Sequence, residues 1–132
     1  MLTPAELTSI ARARLRDADA LLAKGRYDGA AYLCGYAVEI ALKTRIVKTL
    51  KWTGFPSDGG DFKDLQSFKT HNLNLLMRLS GWEARMKTRF APEWLIVSQW
   101  NPESRYGPPG SVTQADASRM IESAKRIVEA LV

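Results

Sequence analysis

Hydrophobic residues recur with helical spacing along most of this chain. The first segment has one apolar stripe, made of Leu7, Ala11, Leu15, Ala18 and Leu22. Intervals of three or four residues place such a stripe on a single helix face. Thr3 and Glu6 have the spacing of a capping box, and Pro4 stands at the first helical position. The pattern predicts a helix over about 3–24.

The second segment is apolar almost all round. It reads GRYDGAAYLCGYAVEIALK over residues 25–43 and continues in the same character to about Leu50. A helix without a polar face is typical of the centre of a bundle. Glu39 lies inside this run, and an isolated buried charge is very costly. We therefore expect Glu39 to be buried and bonded to Arg105, Tyr106 or an arginine of the first helix such as Arg14.

The remaining chain alternates short helical patterns with two loops rich in glycine and proline. Loops are predicted over 51–69 and 101–110, and helices over about 70–81, 82–89, 92–100 and 113–132. No alternating strand pattern is present. The sequence therefore predicts an all-α fold: a single domain over residues 1–132, built as an antiparallel up-down bundle of four main helices plus a short one.

Charge is unevenly distributed along the chain. Residues 1–51 contain nine basic and five acidic side chains, which is most of the net charge of +5. This excess favours anionic partners such as nucleotides or RNA. No apolar run is long enough to cross a membrane, so no membrane partner and a cytoplasmic location are expected. The single cysteine, Cys34, lies on the apolar helix and is interpreted as a buried hydrophobic residue.

Few residues are candidates for chemistry. One histidine and one cysteine do not supply a zinc site, and no glycine-rich phosphate loop is present, so neither a metal nor a cofactor is predicted. His71 is either a loop-anchoring residue or a proton donor beside an anion. Arg105 either holds a phosphate or bonds loop carbonyls, while Tyr106 either stacks on a base or covers the bundle end. Lys43 belongs either to an anion-binding face or to a solvated helix end.

Three stretches together resemble the HEPN domain family. They are residues 25–43, the triplet His71-Asn72-Leu73, and the segment WNPESRY at 100–106, in that order. The resemblance extends over nearly the whole chain. It implies a four- to five-helix up-down bundle that commonly forms a homodimer.

The resemblance implies one of two functions. Many HEPN proteins are metal-independent ribonucleases, often in toxin–antitoxin or defence systems, with an arginine separated from a histidine by four to six residues. This sequence departs from that motif, because Asp64, Leu65 and Gln66 occupy the positions before His71. The other branch consists of small stand-alone proteins associated with minimal nucleotidyltransferases. We therefore expect a non-catalytic module with ligand contacts at Glu39, Lys43, His71, Arg105 and Tyr106, the alternatives being a structural dimerisation protein and a ribonuclease.

Overall fold

Six α-helices and no β-sheet form the computed structural model, which describes residues 1–132. The helices are α1 Pro4–Ala23, α2 Tyr27–Leu50, α3 Leu73–Leu79, α4 Glu83–Arg89, α5 Ala91–Val97 and α6 Gln114–Leu131. Two 3-10 turns cover Gln66–Phe68 and Pro102–Tyr106. The all-α bundle is confirmed, but it consists of three long helices and three of seven residues rather than four main helices and a short one.

Local sequence explains where the helices begin and end. The Thr3–Glu6 capping box forms as predicted, and Gly25 has the positive φ of 73° that lets α1 turn directly into α2. The third predicted helix begins later than expected, at Leu73 instead of Thr70-His71. The reason is that the Asn72 side chain accepts a hydrogen bond from the Leu75 amide and so caps the helix there.

The centre of the protein is α2, as its apolar character predicted. It packs against α1, α3 and α6, and eleven of its residues are buried. Ion pairs of Arg12 with Glu129 and of Asp19 with Lys125 join α1 to α6, which run antiparallel. Cys34 is buried as predicted, and burial raises the pKa of its thiol to about 12. None of the six helices combines the length and hydropathy that crossing a membrane requires.

The loop over residues 51–69 forms part of the hydrophobic core. Phe55 and Phe62 are buried, and the backbone of Phe55 pairs with Leu2 through two hydrogen bonds. Trp52 and Phe68 pack edge to face with ring centroids 5.0 Å apart. The loop is irregular in its backbone, as its glycines predicted, and it is anchored by aromatic side chains. It thereby holds the start of α3 against α2.

Candidate functional site

One face of α2 carries polar side chains that can form hydrogen bonds and exchange protons. Tyr32, Tyr36, Glu39 and Lys43 follow one another at intervals of four, three and four residues, which places them in one row along the helix. α1 and α6 pack on other sides of α2. The row is flanked instead by the chain before α3 and by the segment that follows α5.

Glu39 is the buried member of this row. Its side chain is only 4% exposed, and it accepts hydrogen bonds from Lys43 Nζ at 3.0 Å and from His71 Nδ1 at 2.8 Å. A carboxylate can only accept, so the proton of the neutral imidazole lies on Nδ1. In this tautomer Nε2 carries no proton and can accept one. The His71 side chain is 60% exposed. The three residues form a Glu39–Lys43–His71 cluster in which Lys43 balances the buried charge.

The predicted burial of Glu39 is confirmed, but its predicted partners are wrong. Arg14 pairs with Asp17 at 3.3 Å, and Arg105 reaches only the carbonyl oxygen of Pro102, at 3.5 Å. Loop 51–69 delivers His71 to Glu39, a long-range approach that local sequence does not reveal. Lys43 was available from the sequence, because it lies one helical turn after Glu39.

Trp100 lies against the backbone of α2 at Gly35. A Cβ atom at this glycine would lie 2.1 Å from the indole Cδ2 and Cε2 atoms, so only glycine leaves room for the ring. The indole Nε1 donates to the carbonyl oxygen of Tyr32 at 3.1 Å. Tyr36 contacts Trp100 on one side and His71 on the other, with ring centroids 5.0 and 6.2 Å away. Trp100 is thus held rigidly beside the row.

The Tyr36 hydroxyl is hydrogen-bonded to a second tyrosine of the row. It accepts a hydrogen bond from the Tyr32 hydroxyl at 3.2 Å, and this bond is the main reason that the pKa of Tyr36 rises to about 12. The charge of Glu39 also raises this pKa, whereas the charge of Arg105 lowers it. In turn the Tyr106 and Tyr32 hydroxyls raise the pKa of Arg105. The charges of Glu39 and Arg105 thus act on Tyr36 in opposite directions.

A cleft of about 930 Å³ opens beside Trp100 at the N-terminal end of α2. We call it the aromatic cleft. Its walls come from α2, α5, the 3-10 turn at Pro102–Tyr106 and the start of α6. Its volume lies within the usual range of small-molecule sites. Its cations and rings are Arg26, Tyr32, Trp100, Arg105 and Arg119.

Residues 107–112 form one wall of the cleft, and we call them the strap. The strap is attached to α2 by one side chain. The Asp28 carboxylate accepts hydrogen bonds from the amides of Gly110 at 2.6 Å and Val112 at 2.9 Å. These two bonds, Gly110 first, lower the pKa of Asp28 below its ordinary value. Asp28 lies in the first turn of α2, where a carboxylate also favours the positive end of the helix dipole.

Replacing Asp28 with asparagine is expected to lower the stability of the protein at neutral pH. The native pKa is depressed, so the carboxylate stabilises the fold above its ordinary pKa of 3.8, and this contribution disappears as the pH falls through the lower native value. Unfolding free energies of the wild type and Asp28→Asn, measured from neutral to strongly acidic pH, should therefore converge below about pH 4. A gap of constant size over this range would contradict the role given to Asp28.

Comparison with models of protein families assigns the first part of the chain to a family. Residues 5–57 match the model of the HEPN domain. This segment belongs to the HEPN family. The match covers α1 from its second residue, all of α2 and the start of the loop that follows, and thus the whole row from Tyr32 to Lys43. Comparisons with curated proteins and with solved structures found no match.

The structure divides the sequence-predicted site residues into two groups. Glu39, Lys43 and His71 form the cluster, while Arg105 lines the cleft. Tyr106 is 75% exposed, with the Arg105 guanidinium 4.7 Å from its ring centroid. No hydrogen bond or ion pair joins the two groups.

Sequence reasoning missed several residues of the row and of the aromatic cleft. Tyr32 and Tyr36 share the helical spacing of Glu39 and Lys43. The sequence shows this spacing, but the interpretation of α2 as apolar almost all round gave the two tyrosines no separate role. The position of Trp100 on Gly35 depends on a contact between residues 65 apart in sequence, which no local pattern reveals. Arg26 and Arg119 carried no motif that would have identified them.

Proposed function

We propose that this protein is a non-catalytic HEPN module that binds a nucleotide in the aromatic cleft. The observation that carries the proposal is the combination of a rigid indole, Trp100, with arginines on the same cleft. Aromatic rings stack on bases, and guanidinium groups bind phosphate oxygens in pairs. The cleft offers both chemistries within one concave surface.

The charges of the cleft favour an anion. Arg26 and Arg105 line it and form no ion pair, whereas Arg119 is paired with Asp116 at 2.6 Å. The other lining carboxylate, Asp28, is occupied by the strap amides. Two arginines are therefore free to bind phosphate, and neither acidic residue opposes them with an unbonded carboxylate.

The apolar lining favours a planar group beside the phosphate. Leu95 is 67% exposed and lies with Ile96 on the cleft wall that α5 provides. Met120 lines the side that belongs to α6. A base placed between these side chains and Trp100 would remove exposed apolar surface from water, which is favourable.

We further propose that the protein acts as a homodimer in the cytoplasm and serves a minimal nucleotidyltransferase, in a toxin–antitoxin or defence system. HEPN membership of residues 5–57 supports this part of the proposal. Leu95 and Tyr106 support it as well, because these large side chains remain exposed around the cleft in a single copy. Exposed aromatic and apolar side chains are typical of protein interfaces.

Calorimetric titration with ATP, GTP and a short RNA tests the binding proposal. We expect saturable binding by the wild type and at least tenfold weaker binding by Arg105→Ala, because a charge-assisted hydrogen bond to phosphate contributes about 1.5–3 kcal/mol. Arg89→Ala is the matched control. Arg89 is exposed, forms no ion pair and lies outside the cleft lining, so its removal should leave the affinity unchanged.

The same titrations separate the alternative functions. No heat with any ligand would favour a structural dimerisation protein. The Glu39–His71 pair leaves an imidazole nitrogen as a general base, which favours a ribonuclease as the second candidate. RNA recovered intact after titration in EDTA supports the binding module, whereas RNA shortened by the wild type would support the ribonuclease.

A further inference from the structure

We infer that the strap is a gate of the aromatic cleft, a segment that opens and closes one side of it, and that the Asp28 carboxylate is the latch that holds this gate closed. The gate controls the access of solutes to the cleft, whatever their chemistry. The inference therefore goes beyond the proposed function and does not depend on a nucleotide as the ligand.

The strap has no anchor in the hydrophobic core. Residues 107–111 are exposed and Val112 is half-buried, and none of them belongs to the core or packs against it. The other hydrogen bonds of the strap stay within it or go to the 3-10 turn before it. The two bonds to Asp28 are therefore the only hydrogen bonds that join the strap to a distant part of the chain.

Both ends of the strap are fixed independently of Asp28. The 3-10 turn before it is closed by a bond of 3.0 Å from the Gly107 amide to the Ser104 carbonyl. The helix after it, α6, is capped by the Thr113 side chain, which accepts from the Asp116 amide at 3.1 Å. Release from Asp28 thus leaves both neighbouring elements intact. The strap can move as a flap between two fixed ends.

The sequence of the strap, GPPGSV, combines a stiff centre with points of rotation. Pro108 and Pro109 have restricted φ angles and no amide hydrogen to donate. Gly107 and Gly110 flank them, and a Cβ atom at Gly110, whose φ is 83°, would meet nothing within 4 Å. Glycine permits large backbone rotations. The two prolines therefore move as a unit, while the glycines absorb the change in backbone angles.

Every polar group that opening releases finds a new partner. Water replaces Asp28 at the Gly110 and Val112 amides, and the carboxylate becomes solvated close to the charge of Arg26. Opening exposes little apolar surface, because the strap already lies outside the core. The latch therefore sets the balance between the closed and the open state. We expect the open state as a minor population of about 0.1–10%.

Release of the strap removes one wall of the cleft. Every strap residue except Gly110 lines the cleft, and Trp100 lines it as well. Opening should therefore make the Trp100 ring more accessible to solutes. The other three tryptophans, Trp52, Trp82 and Trp94, lie outside the lining, so their surroundings should not change.

Hydrogen exchange of single amides, measured by NMR, tests the latch. In the wild type, Gly110 and Val112 should exchange more slowly than Ser111, which lies between them and whose amide has no hydrogen-bond partner. Asp28→Ala should speed the exchange of both amides at least tenfold. Asp28→Asn keeps only one of the two acceptor oxygens, and the two amides bond to different ones. It should therefore release one amide and leave the other protected.

Fluorine NMR of the protein labelled with 5-fluorotryptophan tests whether the released strap opens the cleft. A soluble nitroxide broadens each indole resonance according to its exposure, and Trp100→Phe identifies the resonance of Trp100. Asp28→Ala should raise the broadening of this resonance at least twofold and leave the other three unchanged. Asp116→Ala is the matched control, because its carboxylate also lines the cleft but bonds to Arg119 instead of the strap. It should change neither the strap amides nor Trp100.

Two results would overturn the gate. One is exchange of the strap amides in Asp28→Ala at the wild-type rate, and the other is faster exchange without added broadening of Trp100. If Asp28→Ala folds poorly, the wild type decides: strap amides as protected as the buried amides of α2 would mean that the strap opens only on global unfolding. No measurement here uses a ligand, so a failed ATP titration would overturn the proposed function and leave this inference standing.

Discussion

Replacing Gly35 with alanine is expected to destabilise the protein by about 3 kcal/mol. The new Cβ would lie 2.1 Å from Trp100 ring atoms, far inside van der Waals contact. The ring cannot easily move aside, because its Nε1 is bonded to the carbonyl of Tyr32 and its edge is packed on Tyr36. Overpacking of this kind forces the backbone or the ring out of place. Urea unfolding followed by circular dichroism measures the loss.

Gly29→Ala is the matched control in the same helix. A Cβ at Gly29 would meet only the Leu21 Cδ1 atom, at 3.2 Å, and this flexible side chain can shift. Alanine also favours a helix over glycine by about 1 kcal/mol. We therefore expect Gly29→Ala to change the stability by less than about 1 kcal/mol, in contrast to Gly35→Ala.

A double-mutant cycle identifies the cause of the Gly35 effect. In a Trp100→Ala background the clash disappears, so adding Gly35→Ala should cost nothing further. Equal costs of Gly35→Ala with and without Trp100 would contradict the contact between them. Loss of nucleotide affinity in Gly35→Ala is also expected, because Trp100 lines the cleft.

Replacing Glu39 with alanine is expected to destabilise the protein by about 3 kcal/mol. The substitution removes the carboxylate that accepts bonds from Lys43 and His71. Lys43 is only 17% exposed, so its ammonium group would lose its partner while still largely shielded from water. Most of the cost therefore comes from Lys43, since His71 can bond to solvent. Thermal and urea unfolding of the variant measure the effect.

Two comparisons make the Glu39 prediction specific. Glu129→Ala also breaks a pair, with Arg12 at 3.0 Å, but both of these side chains are about half exposed. Exposed pairs contribute little, so the expected loss is below about 1 kcal/mol. A loss under about 0.5 kcal/mol for Glu39→Ala would mean that Glu39 is solvated. His71→Ala should cost less than Glu39→Ala.

The boundaries of the long helices were largely predictable because their determinants are local. Thr3, Glu6, Gly25 and Thr113 act through capping bonds or a positive φ within a few residues. α3 was less predictable, because the capping bond of Asn72 competes with an apolar pattern that starts nearby. The 51–69 loop showed its irregular backbone in its glycines, but its role in the core depends on where Phe55 and Phe62 meet other elements.

The candidate site was predicted as a set of residue types and not as an arrangement. The sequence by itself determined that Glu39 must be buried and bonded, since the apolar helix around it allows nothing else. The tertiary structure alone decided that Lys43 and His71 are the partners and that Arg105 belongs to a separate cleft. Helical spacing and burial are properties of neighbouring residues, whereas the contacts Glu39–His71 and Gly35–Trp100 arise only when distant segments pack together.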